Sequence, residues 1–212
     1  RPKITYGAVP ADKAAALVKA IKTDSVLKEL ALFRTGSEEN VIDGEAIPYT
    51  VEEVPQPVQA LPEYRAYPFY QKQQKIALRN VSLIDPNSID EYIAFGGYSA
   101  LAKALSMPAK QVIQEVITSG LRGRGGAGFP TGAKWKTCSE AAGDAKYVVA
   151  NGSEGDPDIG MHRSMMEGDP HSVLEGLMIA AYAVGASKGF IYVSTHYSAA
   201  LARIKEAVRQ AH

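Results

Sequence analysis

The sequence of 212 residues has little of what a disulfide framework or a metal cluster requires. It holds one cysteine, Cys138, and four histidines that stand at no metal-ligand spacing. A single cysteine excludes an internal disulfide framework and is typical of the reducing cytoplasm. It also excludes an iron–sulfur cluster held by this segment alone, because such clusters usually take four thiolates. We therefore predict no metal site within the segment.

The sequence also lacks a net charge and a long apolar run. Its 23 Lys and Arg residues balance 23 Asp and Glu residues, which indicates neither nucleic acid nor an anionic membrane surface as a partner. No apolar stretch approaches the roughly 20 residues of a membrane helix, and no signal-peptide core follows Arg1. The sequence begins without Met and stops inside a predicted helix. We expect it to be an internal piece of a longer polypeptide.

Hydrophobic periodicity divides the sequence into a small first part and a larger second part. A strand over residues 4–9 and a helix after it are predicted for the first part. Four prolines between residues 55 and 68 are typical of an extended linker. In the second part, short helices alternate with apolar segments at 147–150 and 189–193 that predict buried strands. This alternation favours an α/β fold with a largely parallel sheet. The helices predicted for the second part are 88–95, 98–105, 108–119, 174–184 and 197–211.

The most informative segment is the glycine loop, defined as residues 120–132. Six of its 13 residues are Gly, which costs conformational entropy and is retained where main chain must approach a ligand closely. Arg122, Arg124 and the nearby Lys134 add positive charge beside exposed N–H groups. Main-chain donors and cations together form an anion site, and phosphate is the commonest biological occupant.

Two standard phosphate motifs do not describe this loop. Residues 123–128 match G-x-G-x-x-G, but they follow a predicted helix, whereas the dinucleotide fingerprint follows a strand. A P-loop fails because Ala133 intervenes and Trp135 replaces the required Ser or Thr. Phe129 and Trp135 supply flat apolar surface for a ring. The competing interpretation is a flexible hinge with solvated arginines, although linkers combine Gly with Ser rather than with Arg and aromatic residues.

A second group of polar residues is the acidic turn, defined as residues 151–158. It follows a predicted strand, at the edge where ligands bind in open α/β sheets. Asn151 and Ser153 suit sugar hydroxyls or the edge of a heterocycle, and Glu154 and Asp156 can accept from ribose hydroxyls or amides. The alternative is an ordinary turn of Gly, Asp and Pro. No Ser-His-Asp arrangement is visible in the sequence.

Residues 120–135, GLRGRGGAGFPTGAKW, resemble the FMN-binding loop of the flavoprotein subunit of respiratory complex I and its relatives. The segments NGSEGDP, DPHSVLEGLMIAAYAVGA and GFIYV resemble the next part of that domain. PFYQKQ and GGYSALAKAL are more similar to diaphorase subunits of soluble NAD-linked hydrogenases, formate dehydrogenases and similar bifurcating complexes. The resemblance implies that residues 69–212 form the N-terminal part of an α/β, Rossmann-like FMN-binding domain. It further implies that residues 1–54 end a thioredoxin-like ferredoxin domain, joined through a linker over 55–68.

The function implied by this resemblance is electron transfer. A hydride passes from NADH to FMN, and single electrons then pass to iron–sulfur clusters of a larger complex, which requires no side-chain acid, base or nucleophile. The implied cofactors are FMN and NAD(H), with the iron–sulfur clusters outside this segment. The implied partners are NADH, a thioredoxin-like two-iron ferredoxin subunit and a further iron–sulfur subunit. The expected location is the cytoplasm, or the inner membrane through partners, without direct membrane insertion.

The resemblance also assigns site residues. FMN is contacted by Gly123, Arg124, Gly125, Gly126, Lys134, Asn151, Ser153 and Glu154. NADH is contacted by Gly126, Phe129 and Asp156. Relatives usually carry Asp in place of Ser153, and many carry Glu in place of Asp156. The departure at Ser153 leaves open a flavin-free scaffold or interaction subunit that retains the fold. A third alternative is a different phosphate ligand on the same loop.

Overall fold

The computed structural model describes residues 4–23, 25–34, 38–40, 46–48, 60–63, 66–143, 145–155 and 160–212. The chain divides into two compact units, residues 1–76 and 77–212. Helices and strands are mixed in both units, as the α/β prediction requires. The thioredoxin-like character of residues 1–54 stays a prediction, and residues 55–59, 64 and 65 of the predicted linker lie outside the described residues.

The described part of the first unit contains short antiparallel strand pairs and two α-helices. Its elements are β1 (Ile4–Tyr6), a 3-10 turn (Ala11–Lys13), α1 (Ala14–Lys22), β2 (Ala31–Arg34), β3 (Glu38–Asn40), β4 (Ala46–Pro48) and α2 (Pro68–Gln71). β1 pairs with β2, placing Ile4 opposite Arg34, and β3 pairs with β4. The strand predicted over residues 4–9 ends at Tyr6, and Ala8 adopts a positive φ of 46° that no extended strand accommodates.

The second unit contains a parallel strand pair and the helices that pack beside it. Its elements are α3 (Ile89–Ala94), α4 (Ser99–Leu105), α5 (Ala109–Thr118), α6 (Thr131–Glu140), β5 (Tyr147–Gly152), α7 (Met161–Gly168), α8 (Pro170–Val184), β6 (Lys188–Val193) and α9 (Ser198–Ala211). β5 and β6 run parallel, from Tyr147 opposite Lys188 to Gly152 opposite Val193. α7 and α8 form the crossover between them, which is the expected connection for parallel strands.

Local capping groups set the ends of several of these helices. The Ser88 hydroxyl accepts from the Glu91 N–H at the start of α3. α8 begins at Pro170, four residues before the predicted start, because the Asp169 carboxylate accepts from the Ser172 N–H and proline suits the first helical position. It ends at Gly185, whose φ of +72° stops the helix.

Two apolar clusters form the core of the second unit. One joins Ala104, Val112, Ile113 and Ala183, which belong to α4, α5 and α8. The other joins Met166, Ala200 and Ile204 of α7 and α9 to Ile191 and Val193 of β6. The helices therefore pack on one face of the strand pair and fix the position of its carboxyl end.

The prediction that both strands are buried is wrong for their outer face in this chain. Tyr147 and Val149 of β5 are 53% and 58% exposed, and Phe190 and Tyr192 of β6 are 51% and 61% exposed. Successive side chains of a strand point to opposite faces. Among the described residues, helices pack against the inner face of the strand pair alone. The continuous apolar runs predicted burial on both faces, but the outer apolar face is accessible.

Candidate functional site

Helices α5 and α6 hold the two ends of the glycine loop. α5 is followed by Gly120, whose φ of +66° turns the chain out of the helix. Gly132 in the first turn of α6 is buried, and a Cβ there would lie 2.6 Å from the Ile117 main-chain nitrogen of α5. Because no side chain fits at that distance, glycine allows the close approach of the two helices. The loop is therefore anchored on rigid elements.

The stem of the loop is a short antiparallel ladder. The Gly123 N–H donates to the Phe129 carbonyl at 2.9 Å, and the Thr131 N–H donates to the Leu121 carbonyl at 2.9 Å. Beyond the stem, the N–H groups of residues 124–128 donate to no acceptor within the described part of the chain. A Cβ at Gly125 or Gly126 would meet no atom within 4 Å. The tip of the loop thus offers consecutive main-chain donors with open space before them.

Cationic and aromatic side chains lie at the same loop. Arg124 and Lys134 are exposed, and the Lys134 ammonium lies 6.0 Å from the centre of the Phe129 ring. Phe129 is 52% exposed, so its ring is available to a ligand. Trp135 is partly buried and packs against the core cluster of α4, α5 and α8, and its predicted contact with a ligand ring stays a prediction.

The acidic turn follows β5 at the carboxyl end of the strand pair. The Asn151 side-chain oxygen accepts from the Ser153 N–H at 3.0 Å, which closes a tight turn. The structure therefore brings Asn151, Ser153 and Glu154 together. Among the described residues, no hydrogen bond or ion pair joins this turn to the glycine loop. Asp156 lies outside the described residues, and its predicted contact with NADH stays a prediction.

Glu154 has a structural role that the sequence does not indicate. Its carboxylate accepts from the N–H groups of His162 at 3.2 Å and Arg163 at 2.8 Å, at the start of α7. Burial alone would raise the pKa of the Glu154 carboxyl, but these main-chain donors outweigh burial and hold the pKa below its usual range. The residue also adopts a positive φ of 45°. The contact spans eight and nine residues, beyond the spacing of ordinary capping motifs.

A buried polar network joins α8 to α4 and α9. Glu175 accepts from the Tyr92 hydroxyl and from the N–H groups of Tyr98 and Leu101. The Tyr98 hydroxyl lies 2.7 Å from Nδ1 of His171. Burial, together with nearby carboxylates, raises the pKa of Tyr98 to about 12. His171 is itself buried in the core, at 1% exposure.

The described residues offer neither a metal cluster nor a membrane helix. No three His, Cys, Asp or Glu side chains of that part of the chain lie close enough together to hold a metal ion. None of its helices is both long enough and apolar enough to span a lipid bilayer.

Comparison with known proteins places the loop and the turn in a family. Residues 116–212 match the profile of the Nuo51 FMN-binding domain. Over these residues the chain is similar to that FMN-binding domain. Both the glycine loop and the acidic turn lie within the segment that matches the FMN-binding domain. The two segments that the residue types indicated as a ligand site are therefore part of the matched domain.

Individual relatives agree with the family match. The chain is 51% identical over 140 residues to the NADP-reducing hydrogenase subunit HndC of Solidesulfovibrio fructosivorans, covering 66% of this chain and 28% of that protein. It is 44% identical over 140 residues to a subunit of an NADH-quinone oxidoreductase of Rhizobium meliloti, covering 66% of this chain and 33% of that protein. The chain thus spans about a third or less of the length of these relatives.

A solved structure supports the same fold. An NAD+-reducing [NiFe]-hydrogenase in its H2-reduced state matches with a TM-score of 0.52 and 23% identity. The match covers 97% of this chain and 29% of that chain. At this identity the likeness concerns the fold alone, which is mixed helix and strand as predicted.

Proposed function

We propose that this chain is part of an NADH-oxidising flavoprotein subunit and that its glycine loop holds the phosphate of FMN. The observation that carries the proposal is the run of N–H groups over residues 124–128 that have no acceptor among the described residues, together with the exposed cations Arg124 and Lys134. Main-chain donors and cations together match the charge and acceptor oxygens of a phosphate. The run lies within the segment that matches the FMN-binding domain.

The residue types around the loop and the turn fit the rest of the flavin. Gly125 and Gly126 leave open space where a side chain would otherwise stand, which permits contact between main chain and ring. The tight turn at Asn151 and Ser153 presents polar groups at the carboxyl end of β5. Glu154 fixes this turn to α7 and keeps its carboxylate ionised. The FMN contacts proposed are those of Gly123, Arg124, Gly125, Gly126, Lys134, Asn151, Ser153 and Glu154.

NADH is the proposed electron donor, in contact with Gly126, Phe129 and Asp156. The half-exposed Phe129 ring beside the loop supports this assignment, because an aromatic ring there can stack on a nucleotide base. When bound, FMN accepts electrons from the nicotinamide as a hydride and releases them singly. The chain contributes binding, orientation and charge rather than an acid or base.

The larger assembly is proposed from the relatives. Their names are those of hydrogenase and quinone oxidoreductase subunits, which supports a multisubunit complex with iron–sulfur partners. We assign residues 1–54 to the end of a thioredoxin-like ferredoxin domain, and the partners to a two-iron ferredoxin subunit and a further iron–sulfur subunit. The proposed location is the cytoplasm, with any membrane attachment made through partners.

Extraction of the cofactor tests this proposal. The full-length protein should release FMN on acid treatment, at about one FMN per chain, identified by chromatography against FMN and FAD standards. FAD would contradict the single-phosphate site. A protein that neither retains nor rebinds a flavin would favour the flavin-free scaffold. Ser153, where relatives usually carry Asp, is the residue that supports this alternative.

A further inference from the structure

Arg122 forms a hydrogen bond that closes the glycine loop. Its Nε–H donates to the carbonyl of Gly128 at 2.6 Å. The same residue pairs with Pro130 in an antiparallel bridge. The side chain of Arg122 therefore crosses from one strand of the stem to the other, next to the residues whose N–H groups have no acceptor among the described residues. None of the assigned FMN or NADH contacts includes this residue.

The bond restrains the part of the loop that has most conformational freedom. Gly126 and Gly128 adopt φ angles of +98° and +59°, and glycine loses more conformational freedom on ordering than any other residue. A donor fixed on the Gly128 carbonyl limits the rotation of the peptide groups beside it. Consecutive N–H groups can converge on one anion only if those peptide groups keep a common orientation.

We propose that Arg122 is a positioning residue, which orders the glycine loop for phosphate through its Nε–H rather than through its charge. The inference rests on the proposed function, since it takes the loop as the FMN phosphate site. It separates the cations near the loop into two kinds. Arg124 and Lys134 face the phosphate in the proposed function, whereas Arg122 acts on the Gly128 carbonyl.

Two substitutions distinguish the donor from the charge. Gln places its Nε2 the same number of bonds from Cα as Nε of Arg, so Arg122→Gln keeps an N–H donor and removes the charge. Arg122→Met keeps a side chain of similar length and removes both. Lys136→Gln is the matched control, because Lys136 is an exposed cation on α6 outside the assigned site. The full-length protein is used, first with its flavin removed and then titrated with FMN.

Arg122→Met should raise the Kd for FMN roughly 5- to 13-fold, the upper part of the range that corresponds to one hydrogen bond without a contribution from charge. Arg122→Gln and Lys136→Gln should stay within about threefold of the parent protein. Equal weakening in the Gln and Met variants would overturn the inference, because it would show a direct role of the charge. Unchanged binding in the Met variant would overturn it as well.

Hydrogen exchange of the flavin-free protein gives a second readout. Arg122→Met should speed exchange of the Gly123 and Thr131 amides, which form the stem, and Arg122→Gln should not. If the parent protein binds no FMN, the proposed function fails, and the exchange rates still decide whether Arg122 orders the loop. If the Met variant does not fold, the Gln variant decides: parent-like affinity and exchange support the donor role, and weakened binding contradicts it.

Discussion

Phe129 contributes its main chain to the stem of the loop, and its side chain is proposed to contact the ligand. Its carbonyl accepts from the Gly123 N–H in the stem. Its ring is 52% exposed and lies near the Lys134 ammonium. Any residue at position 129 keeps the main-chain carbonyl that accepts from Gly123. The ring can therefore be removed without removing the hydrogen bond of the stem.

Replacing Phe129 with Ala should therefore impair the use of NADH more than folding. Loss of a stacked ring costs about 1–3 kcal/mol, which corresponds to an increase of roughly 5- to 150-fold in the KM for NADH. The free energy of unfolding should change by less than about 1 kcal/mol, because the ring is half exposed. Steady-state kinetics and flavin content on one preparation check this. A flavin-replete variant with unaltered NADH dependence would exclude stacking, and loss of the flavin would indicate a structural ring.

The glycine loop was predictable from the sequence because its signal is local. Glycine density and neighbouring cations are properties of adjacent residues, and the exposed N–H groups follow from them. The different packing of Phe129 and Trp135 was not predictable. Both are aromatic residues in or near the loop, and only the direction in which α6 faces α5 and α8 brings Trp135 against the core cluster while Phe129 stays half exposed. The partner of Glu154 depends in the same way on where α7 begins.

At the scale of elements, α8 connects the strand pair to the short helices before it. His171 and Glu175 lie one turn apart on α8 and are both buried. Nε2 of His171 lies 3.1 Å from Oε1 of Gln210, an oxygen that also accepts from the Ile89 N–H. His171 therefore donates a hydrogen bond through Nε2–H and accepts one from the Tyr98 hydroxyl at Nδ1. This pattern of one donor and one acceptor is that of the neutral imidazole.

The neutral ring predicts a stability that falls in mild acid. Burial lowers the pKa of His171 below its ordinary value, against the opposing effects of Gln210 and Asp169. Below about pH 6.5 the unfolded chain binds a proton there while the folded chain does not, so protonation favours unfolding. The contribution of His171 to the free energy of unfolding should be constant above about pH 6.5. It should decrease as the pH falls from there towards the lowered pKa of the folded state.

Urea unfolding at a series of pH values measures this effect. The variant His171→Gln carries no titrating group at the position, so its free energy of unfolding should depend less on pH between about 5 and 6.5. A variant with the same pH dependence as the parent protein would show that another group is responsible. Imidazole titration by NMR gives an independent check, since His171 should titrate below the ordinary value.

Element boundaries show which signals a sequence carries. The helices at 89–94, 99–105 and 109–118 agree closely with the prediction, because Gly and Pro mark their ends. α7 was not predicted: it is short, its hydrophobic residues are few, and its start is capped by the distant Glu154. β2 was missed because a four-residue strand carries little periodicity, and its pairing with β1 is non-local.

At the scale of the whole molecule, two observations bear on what surrounds this chain. The outer face of β5 and β6 is exposed, and the relatives are longer than the chain. A parallel strand pair is normally covered on both faces, and here Val149 and Phe190 lie opposite each other on an exposed face. The chain covers 28% of the hydrogenase subunit that it resembles at 51% identity. The proposed electron transfer is therefore tested on the full-length protein.

Anaerobic mixing of the FMN-loaded, full-length protein with NADH tests the proposed function most directly. The visible absorbance of the oxidised flavin should bleach on addition of NADH, to the same extent as with dithionite. NADH should produce no bleaching of free FMN on the same timescale. A protein whose bound FMN is reduced by dithionite but stays oxidised in excess NADH would contradict the assignment of NADH as the electron donor.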